Sequence, residues 1–278
     1  MQGIIVFIIF VVFGNKLFAT AQFPDILIEG TDTTWITCNP LEVYFEQKGA
    51  RKIGSLDLDS GDHCTALWRG YVATWRLEND SLFLIRIQTD YCGTPTEVSL
   101  MTEFGTNRVF ASWLNSQIVR PVGELLHYIH MGYMSIYEAD KYYSFTNGIL
   151  QETKTKSYLE RNSSLIFPGE YYLSDTIRSL ILKNIDSDER DKLPDFGSCR
   201  IRIEFDEKGY IKNIGFGNQE NLNSIELLVL TATQDAVKNF PQLMKVKHPQ
   251  YQPPIIELFF SAHCLKNPYN RDYGCKYE

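Results

Sequence analysis

Hydrophobic positions in the back half of the chain follow two periods. Apolar and polar residues alternate from Arg200 to Phe205, which is typical of a half-buried strand, whereas apolar positions recur at helical spacing from Asn223 to Phe240. Pro241 ends the helical pattern. The predicted order is a helix at 176–185 capped by Ser174 and Asp175, a charged connection at 186–194, strands at 200–205 and 210–216 around a turn at 206–209, a helix at 223–240 and a strand at 255–261.

The front half has the pattern of strands. Two runs rich in aromatic and β-branched residues, 65–77 and 82–87, flank Asn79-Asp80 and predict a hairpin, and Asn147-Gly148 predicts a second hairpin turn. Shorter candidate strands lie at 109–114, 117–120, 124–130, 134–137 and 142–146. This spacing favours an antiparallel sheet wrapped on itself, with almost no helix before residue 170.

These patterns predict an α+β protein in which a β-rich antiparallel N-terminal domain precedes a small α+β C-terminal domain. We expect a signal peptide at 1–21, the β-rich domain at 22–165 and the C-terminal domain at 166–278.

The N-terminal segment indicates export. The apolar run from Gly3 to Phe13 is shorter than the roughly 20 residues of a membrane-spanning helix, and Ala19-Thr20-Ala21 supplies the small residues of a cleavage site. An uncleaved N-terminal anchor is the alternative. We expect a periplasmic or secreted protein without a stable membrane span after cleavage.

Charge narrows the class of partner. The chain has 27 basic and 34 acidic residues, a net charge of −7, and a sequence pI of 5.4, which argues against nucleic-acid binding. Only Lys16 is charged in the predicted signal peptide, so its removal leaves −7 − 1 = −8. The expected partner is a protein or another component of the cell envelope.

The back-half pattern resembles the C-terminal domain of the TonB family of bacterial envelope proteins. The resemblance rests on 201–209, 211–216, the helix ending at Phe240-Pro241 and 255–260, and covers roughly 173–264. It implies a small antiparallel sheet with helix 223–240 on one face. An energy transducer of this family keeps an N-terminal membrane helix and has a long Pro-rich linker, whereas here we expect the short apolar N-terminal run to be removed, and the 11 prolines are scattered along the chain. The resemblance therefore implies a binding or structural module, as in exported proteins of Bacteroidetes-like bacteria.

Three short motifs in the front half resemble an uncharacterised bacterial family. They are Asn39-Pro40-Leu41-Glu42, Trp68-Arg69-Gly70-Tyr71 and His130-Met131-Gly132-Tyr133. This resemblance implies a module and no particular chemistry.

Six cysteines in an exported chain favour disulfides over metal or catalytic sites. Cys64 and Cys92 lie near the open end of the first predicted hairpin, so we expect a disulfide between them. Cys264 and Cys275 are close in sequence and form the second expected pair. Cys38 and Cys199 remain, and a disulfide between them would join the two halves.

Catalytic motifs are absent from the sequence: it has no G-x-S-x-G elbow, P-loop or dinucleotide fingerprint. An alternative to a binding protein is a hydrolase assembled from dispersed residues, for which His127, His130, Glu138 and Asp62 are the candidates, with Glu124 nearby. Asp57, Asp59 and Asp62 only loosely match a calcium loop, and His63 beside Cys64 lacks a catalytic partner.

The sequence therefore favours a non-enzymatic binding or envelope-assembly protein, although it leaves enzymatic activity open. We assign no catalytic, cofactor or metal residues. The alternatives are the exported hydrolase and an immunity-type inhibitor of a secreted toxin, whose acidic charge would suit a basic partner. Closely spaced tyrosines would suit partner binding if exposed and a sandwich core if buried: Tyr128, Tyr133, Tyr137, Tyr142 and Tyr143.

Overall fold

A computed structural model describes residues 20–53, 56–58, 64–216, 222–238, 240 and 242–266. Its strands are β1 (Asp25–Glu29), β2 (Asp32–Ile36), β3 (Lys52–Ile53), β4 (Leu56–Asp57), β5 (Val72–Glu78), β6 (Ser81–Thr89), β7 (Thr96–Val98), β8 (Val109–Phe110), β9 (Gln117–His127), β10 (Ile136–Thr146), β11 (Ile149–Ser157), β12 (Ser198–Phe205), β13 (Ile211–Gly215) and β14 (Ile255–Ser261). Its helices are α1 (Pro40–Lys48), α2 (Leu100–Phe104), α3 (Glu170–Lys183), α4 (Ser187–Asp191), α5 (Ser224–Val237) and α6 (Ala262–Lys266).

The front half forms one large curled sheet. Its strand order is β2-β1-β5-β6-β11-β10-β9, and β7 and β8 pair with β6. Most pairs are antiparallel, and β1 pairs with β5 in parallel. The two end strands come together, because the Thr37 amide directly after β2 donates to Val119 O of β9 at 2.8 Å. The sheet is therefore wrapped on itself, as the sequence predicts.

Both predicted hairpin turns are confirmed. Asn79 and Asp80 join β5 to β6 with φ of 47° and 57°, and Asn147 and Gly148 join β10 to β11 with φ of 47° and 76°. Positive φ at both central residues matches the right-handed twist of the flanking strands, and Asn, Asp and Gly tolerate it best.

The first predicted strand is too long at its start. Residues 65–71 form turns, in which the Leu67 amide donates to Cys64 O and the Gly70 amide to Leu67 O, and β5 begins at Val72. The strands predicted at 117–120 and 124–130 are one strand, β9, which continues through Pro121. A proline, which lacks an amide hydrogen, is tolerated there because β9 ends the hydrogen-bonded order of the sheet.

The expectation of almost no helix before residue 170 is wrong. Helix α1 begins with Pro40 in its first turn and ends at Gly49, whose φ is 72°, and the shorter α2 ends at Gly105 with φ of 68°. Proline at the start and glycine at the end are the signals that mark α1. Phe45 and Leu41 of α1 pack into the core enclosed by the large sheet.

The back half contains a three-stranded antiparallel sheet in the order β13-β12-β14. Helices α3 and α5 pack on one face, where Ile201, Ile203 and Leu258 are fully buried. Asn223 and Glu226 form a capping box at the start of α5. The hairpin predicted at 200–216, the helix predicted at 223–240 and the strand predicted at 255–261 are confirmed as β12 with β13, α5 and β14. Helix α3, however, begins at Glu170 instead of behind a Ser174 cap.

The opposite face of this small sheet points outward. Arg200 and Arg202 of β12 lie beside Glu257 of β14, each 3.5 Å from a carboxylate oxygen, and Phe259 is half exposed among them. Exposed ion pairs of this kind contribute little to stability.

A third apolar cluster connects the two sheets. Leu126, Ile136 and Leu159 are buried there against a segment that follows α5 and includes Met244 and Val246. Isolated bridges pair Leu159 with Val246 and Ile166 with Leu243. The architecture is a mixed α and β fold compatible with the predicted α+β class, while the 165/166 boundary stays a prediction. None of the helices in the described ranges is long and apolar enough to cross a membrane.

Candidate functional site

The three motifs of the front half meet at one end of the curled sheet. Tyr133 of the third motif accepts a hydrogen bond from Arg69 Nη1 of the second at 2.7 Å. The Tyr133 hydroxyl also lies 2.9 Å from Asn39 Oδ1 of the first motif and 3.1 Å from Phe23 O, to one of which it donates. Residues far apart in sequence therefore form one polar network.

The centre of this network is a buried ion pair between Asp25 and Arg69. Asp25 is fully buried at the start of β1, and Arg69 Nη2 donates to its Oδ1 at 2.9 Å. The Ala73 amide and Trp75 Nε1 each donate to the same carboxylate at 3.0 Å. Burial raises the pKa of Asp25 despite the opposing effects of the Arg69 guanidinium and these hydrogen bonds.

A second ion pair supports the loop that carries Arg69. Glu42 accepts from Arg51 Nε at 3.1 Å and from Arg51 Nη2 at 3.0 Å, and the same Nη2 donates to Arg69 O at 2.8 Å. The first motif therefore contacts the network at two points. Asn39 contacts Tyr133 directly, and Glu42 holds Arg51, which in turn donates to Arg69 O. Two-point contact with a guanidinium fixes geometry as well as charge.

The Tyr133 phenol and the Cys38 thiol beside this network have pKa values far above neutral pH. Burial raises the pKa of Tyr133 to about 12 and that of the Cys38 thiol to about 12. A nucleophilic cysteine needs a lowered pKa, and a general base works best with a pKa near the working pH. The Tyr133 phenol and the Cys38 thiol are therefore protonated at neutral pH, and the hydrogen bonds of Tyr133 hold its loop to the loop that carries Arg69.

The N-terminal segment crosses directly over this network. Gln22 N donates to Gly132 O at 3.0 Å, and Gly132 N donates to Thr20 O at 3.3 Å. On its other side, the Trp68 amide donates to Gln22 Oε1 at 2.9 Å. Gln22 by itself therefore joins the loop that carries Trp68 to the loop that carries Met131, and it lies after the predicted cleavage site at Ala21.

Apolar side chains surround this crossing and remain open to solvent. Trp68 is 56% exposed, Met131 39% and Phe23 37%, and the Phe23 ring contacts the Tyr91 ring at a centroid distance of 5.3 Å. We call these four residues the loop-end face. A disulfide between Cys64 and Cys92 lies at the base of two of the loops that carry them.

A second group of polar side chains lies where the two sheets meet. Tyr158 donates to Asp140 Oδ2 at 2.8 Å, and the His248 ring packs edge-on against the Tyr158 ring at 4.6 Å. Burial raises the pKa of Tyr158 and lowers that of His248, while the Asp140 carboxylate opposes the change at His248. These contacts fix the connection between the sheets.

The structure gives the predicted hydrolase residues separate partners. His127 contacts Glu170 of α3, and the Tyr128 hydroxyl hydrogen-bonds His130 Nδ1 at 2.9 Å. Glu138 pairs with Arg161. Asp62 lies outside the described residues, and among the described residues no cluster of three or more His, Cys, Asp or Glu could hold a metal.

The remaining sequence candidates also have structural partners or lie outside the description. Glu124 accepts from the Tyr172 hydroxyl at 3.3 Å, and Asp57 lies 3.1 Å from Lys52 Nζ in the β3–β4 pair. Asp59, Asp62 and His63 lie outside the described residues. Of the tyrosine group, Tyr143 is buried and donates to Glu29 at 2.6 Å, whereas Tyr128 is 49% exposed.

The cysteines divide into bonded and free groups. Cys38 and Cys199 are both free thiols, so the Cys38–Cys199 disulfide predicted from the sequence is wrong. The reason is physical, because Cys38 packs against the core of the large sheet and Cys199 is buried in the core of the small sheet. Cys264 is disulfide-bonded, and Cys275, its expected partner, lies outside the described residues.

The sequence patterns did not predict the buried position of Asp25 or the contacts that Gln22 and Phe23 make with the loops. The available signal was an aspartate at the head of the apolar run Ile26-Leu27-Ile28, where a charge needs a buried partner. Its partner, Arg69, belongs to a motif singled out only for its resemblance.

Comparisons with family models, curated proteins and solved structures found no match to this chain. The resemblances to a TonB-like C-terminal domain and to an uncharacterised bacterial family therefore stay predictions, and the site is interpreted from its own geometry.

Proposed function

We propose that this protein is an exported, non-enzymatic binding protein of the cell envelope, periplasmic or secreted, that holds a protein or envelope component on its loop-end face. In this proposal the back half serves as a TonB-like module for binding or assembly. The observation that carries the proposal is the exposure of Phe23, Trp68 and Met131 directly above a polar network whose groups are fixed.

Rigidity of the loops supports a binding role. Arg69 and Tyr133 lie beneath the face in two different loops and bond to each other, and both contact Phe23 O. Binding costs less free energy when the contacting side chains are already ordered. Aromatic side chains on ordered loops are also the residues that most often dominate binding energy.

Charge supports a partner that presents apolar or aromatic groups to this face. The two acids beneath the loops, Asp25 and Glu42, are paired with Arg69 and Arg51. Contact with the loop-end face therefore relies on burial of apolar area. An immunity-type inhibitor of a basic toxin would instead rely on charge, and its binding would weaken with salt.

The candidate hydrolase residues lie apart from one another, which also favours binding over hydrolysis. Within the described residues His127, His130 and Glu138 each contact a different neighbour, Glu170, Tyr128 and Arg161. Export is supported by the Cys64–Cys92 disulfide, because such bonds persist in oxidising compartments.

The test places a photocrosslinking amino acid at Trp68 and, as a matched control, at Trp35, which is 48% exposed on β2. In envelope extract of the source organism we expect a discrete adduct from position 68 and none from position 35. The adduct should disappear in a Met131→Ser, Phe23→Ser background and persist at high salt. Equal labelling from both positions, no adduct from position 68, or measurable hydrolase turnover would contradict the proposal.

A further inference from the structure

The chain that follows α5 joins the two sheets through main-chain hydrogen bonds. We call residues 242–251 the connecting segment. On one side the Leu243 amide donates to Gly209 O, in the turn between β12 and β13, at 3.0 Å. On the other side the Lys247 amide donates to Tyr158 O, directly after β11, at 2.7 Å. The hold of the connecting segment on Tyr158 is therefore part of what joins the front half to the back half.

His248 lies in a turn of this segment that uses the imidazole ring as an acceptor. The Gln250 amide donates to His248 Nδ1 at 3.2 Å, and the Tyr251 amide donates to His248 O at 3.1 Å. A ring nitrogen accepts a hydrogen bond only while it carries no proton, so the turn requires neutral His248. The same ring packs edge-on against the Tyr158 ring, with the centroids 4.6 Å apart. One imidazole thus shapes the turn and contacts the front half.

Charged groups surround the Tyr158 ring on which His248 packs. Lys156 Nζ of β11 lies 5.3 Å from the centroid of this ring, so a charged His248 would bring a second cation to it. Asp140 of β10 accepts from the Tyr158 hydroxyl and attracts positive charge. Burial lowers the pKa of His248, Asp140 opposes this change and Lys156 reinforces it. The surroundings of the ring therefore favour the neutral form.

We propose that the connecting segment is a pH-dependent contact between the two halves, in which protonation of His248 loosens its hold on the front half. The added proton occupies Nδ1, removes the acceptor of the Gln250 amide and places a positive charge near Lys156. This inference is independent of the proposed function of the loop-end face.

The direction of the pH dependence follows from the histidine. Its pKa in the closed connecting segment lies below the ordinary value of 6.5, so a detached segment binds the proton more tightly. The contact is complete above pH 6.5 and weakens as the pH falls through the lower pKa of the closed form. The neighbouring ion pair between Lys247 and Glu160 persists in mild acid, because Lys247 lowers the pKa of Glu160.

His127 provides a contrast at the same junction. It contacts Glu170 of α3, and its ring packs against the Tyr251 ring of the connecting segment at a centroid distance of 6.1 Å. A proton on His127 adds to its attraction for the Glu170 carboxylate, so its titration favours a closed junction in acid. Loosening in acid therefore distinguishes His248 from His127.

Hydrogen–deuterium exchange of the purified, oxidised protein tests the proposal between about pH 7.5 and about pH 5, on either side of the reference histidine pKa of about 6.5. After correction for the intrinsic pH dependence of exchange, the protection of the Lys247 amide should fall by about 2- to 12-fold, the range for loss of one hydrogen bond. The Leu82 amide, which donates to Gly148 O within the front half at 3.0 Å, is the reference in the same sample and should keep its protection.

His248→Asn is the matched variant. An asparagine side chain accepts from the amide two residues further on, as His248 does from Gln250, but it takes up no proton. H248N should therefore abolish the fall in protection, whereas H127N should leave it in place. An unchanged pH dependence in H248N, its loss in H127N, or constant protection of Lys247 in the wild-type protein would overturn the proposal.

Nuclear magnetic resonance of the wild-type protein provides a second measurement that needs no substitution. The ring signals of His248 should titrate with a midpoint below that of an ordinary histidine, about 6.5. The protection of the Lys247 amide should change with the same midpoint. Two different midpoints would contradict the proposal, because the amide would then respond to another group.

Discussion

Replacement of Arg69 by methionine tests the buried ion pair most directly. The substitution keeps an unbranched apolar stem in place of Arg69 but removes its hydrogen bonds to Asp25, Phe23 O and Tyr133. Asp25 stays fully buried with only the Ala73 amide and the Trp75 indole as partners.

The expected loss of stability is large. Removal of one partner from a buried ion pair costs about 3–5 kcal/mol, because the remaining charge is uncompensated. At a urea m-value of about 3 kcal/mol/M, this loss lowers the unfolding midpoint by about 1–1.7 M. Such a change is a large fraction of the roughly 5–15 kcal/mol that holds a typical domain folded.

The loss should also depend on pH in a defined direction. Burial raises the pKa of Asp25 even with Arg69 present, and removal of the cation raises it further. Because the folded-state pKa lies above the unfolded value, the folded state binds the proton more tightly. R69M should therefore be most stable below the unfolded pKa and lose stability as the pH rises through the folded pKa.

Urea unfolding followed by tryptophan fluorescence at several pH values measures both effects. R200M is the matched control, since the ion pair of Arg200 with Glu257 is exposed and its loss should cost less than about 1 kcal/mol. Adding D25N to R69M should remove the additional pH dependence. The reasoning fails if R69M and R200M lose the same stability, or if the loss in R69M does not grow as the pH rises from about 3, below the reference carboxyl pKa of about 3.9, to about 8.

Two further predictions concern covalent and backbone constraints. The double substitution Cys64→Ser, Cys92→Ser removes a disulfide across a sequence separation of 28 residues, and by the loop-entropy relation it should lower the free energy of unfolding by about 3–4 kcal/mol. Urea unfolding of both proteins without reductant measures this loss, and an unchanged midpoint would contradict it. Gly148→Ala should lower the melting temperature more than Gly30→Ala. Both glycines have positive φ, but an added Cβ at Gly148 would lie 2.6 Å from the backbone oxygen of Ala111, whereas one at Gly30 would meet no atom within 4 Å. Thermal unfolding of both variants measures the difference, and equal shifts would show that the contact carries no cost.

Local signals account for the parts of the fold that the sequence predicted. The Asn79-Asp80 turn specifies a hairpin through positive φ, and the alternation in β12 specifies which side of the small sheet is buried. Each of these signals lies within a few residues of the element that it determines. Helix α1 was missed because its signals are the end residues Pro40 and Gly49 and not an apolar stripe.

The candidate site was hidden for a different reason. Its central contacts join Asp25 to Arg69 and Asn39 to Tyr133, with sequence separations of 44 and 94 residues. No local pattern encodes such contacts. The predicted Cys38–Cys199 disulfide was wrong for the same reason. The number of cysteines on each side of a boundary does not show that Cys38 packs against the core of the large sheet and Cys199 in that of the small sheet.

The position of Cys38 has a consequence for how the chain acquires its disulfides. Cys38 precedes Cys64 and Cys92 in the chain, so an oxidant that joins cysteines in order of emergence would first link Cys38 to Cys64. The native bond skips Cys38, which directly follows Thr37, where the sheet closes onto Val119, and which packs against the core of the large sheet. Closure of the sheet therefore competes with oxidation of this thiol. A protein that folds slowly should accumulate the Cys38–Cys64 isomer and need a disulfide isomerase to recover.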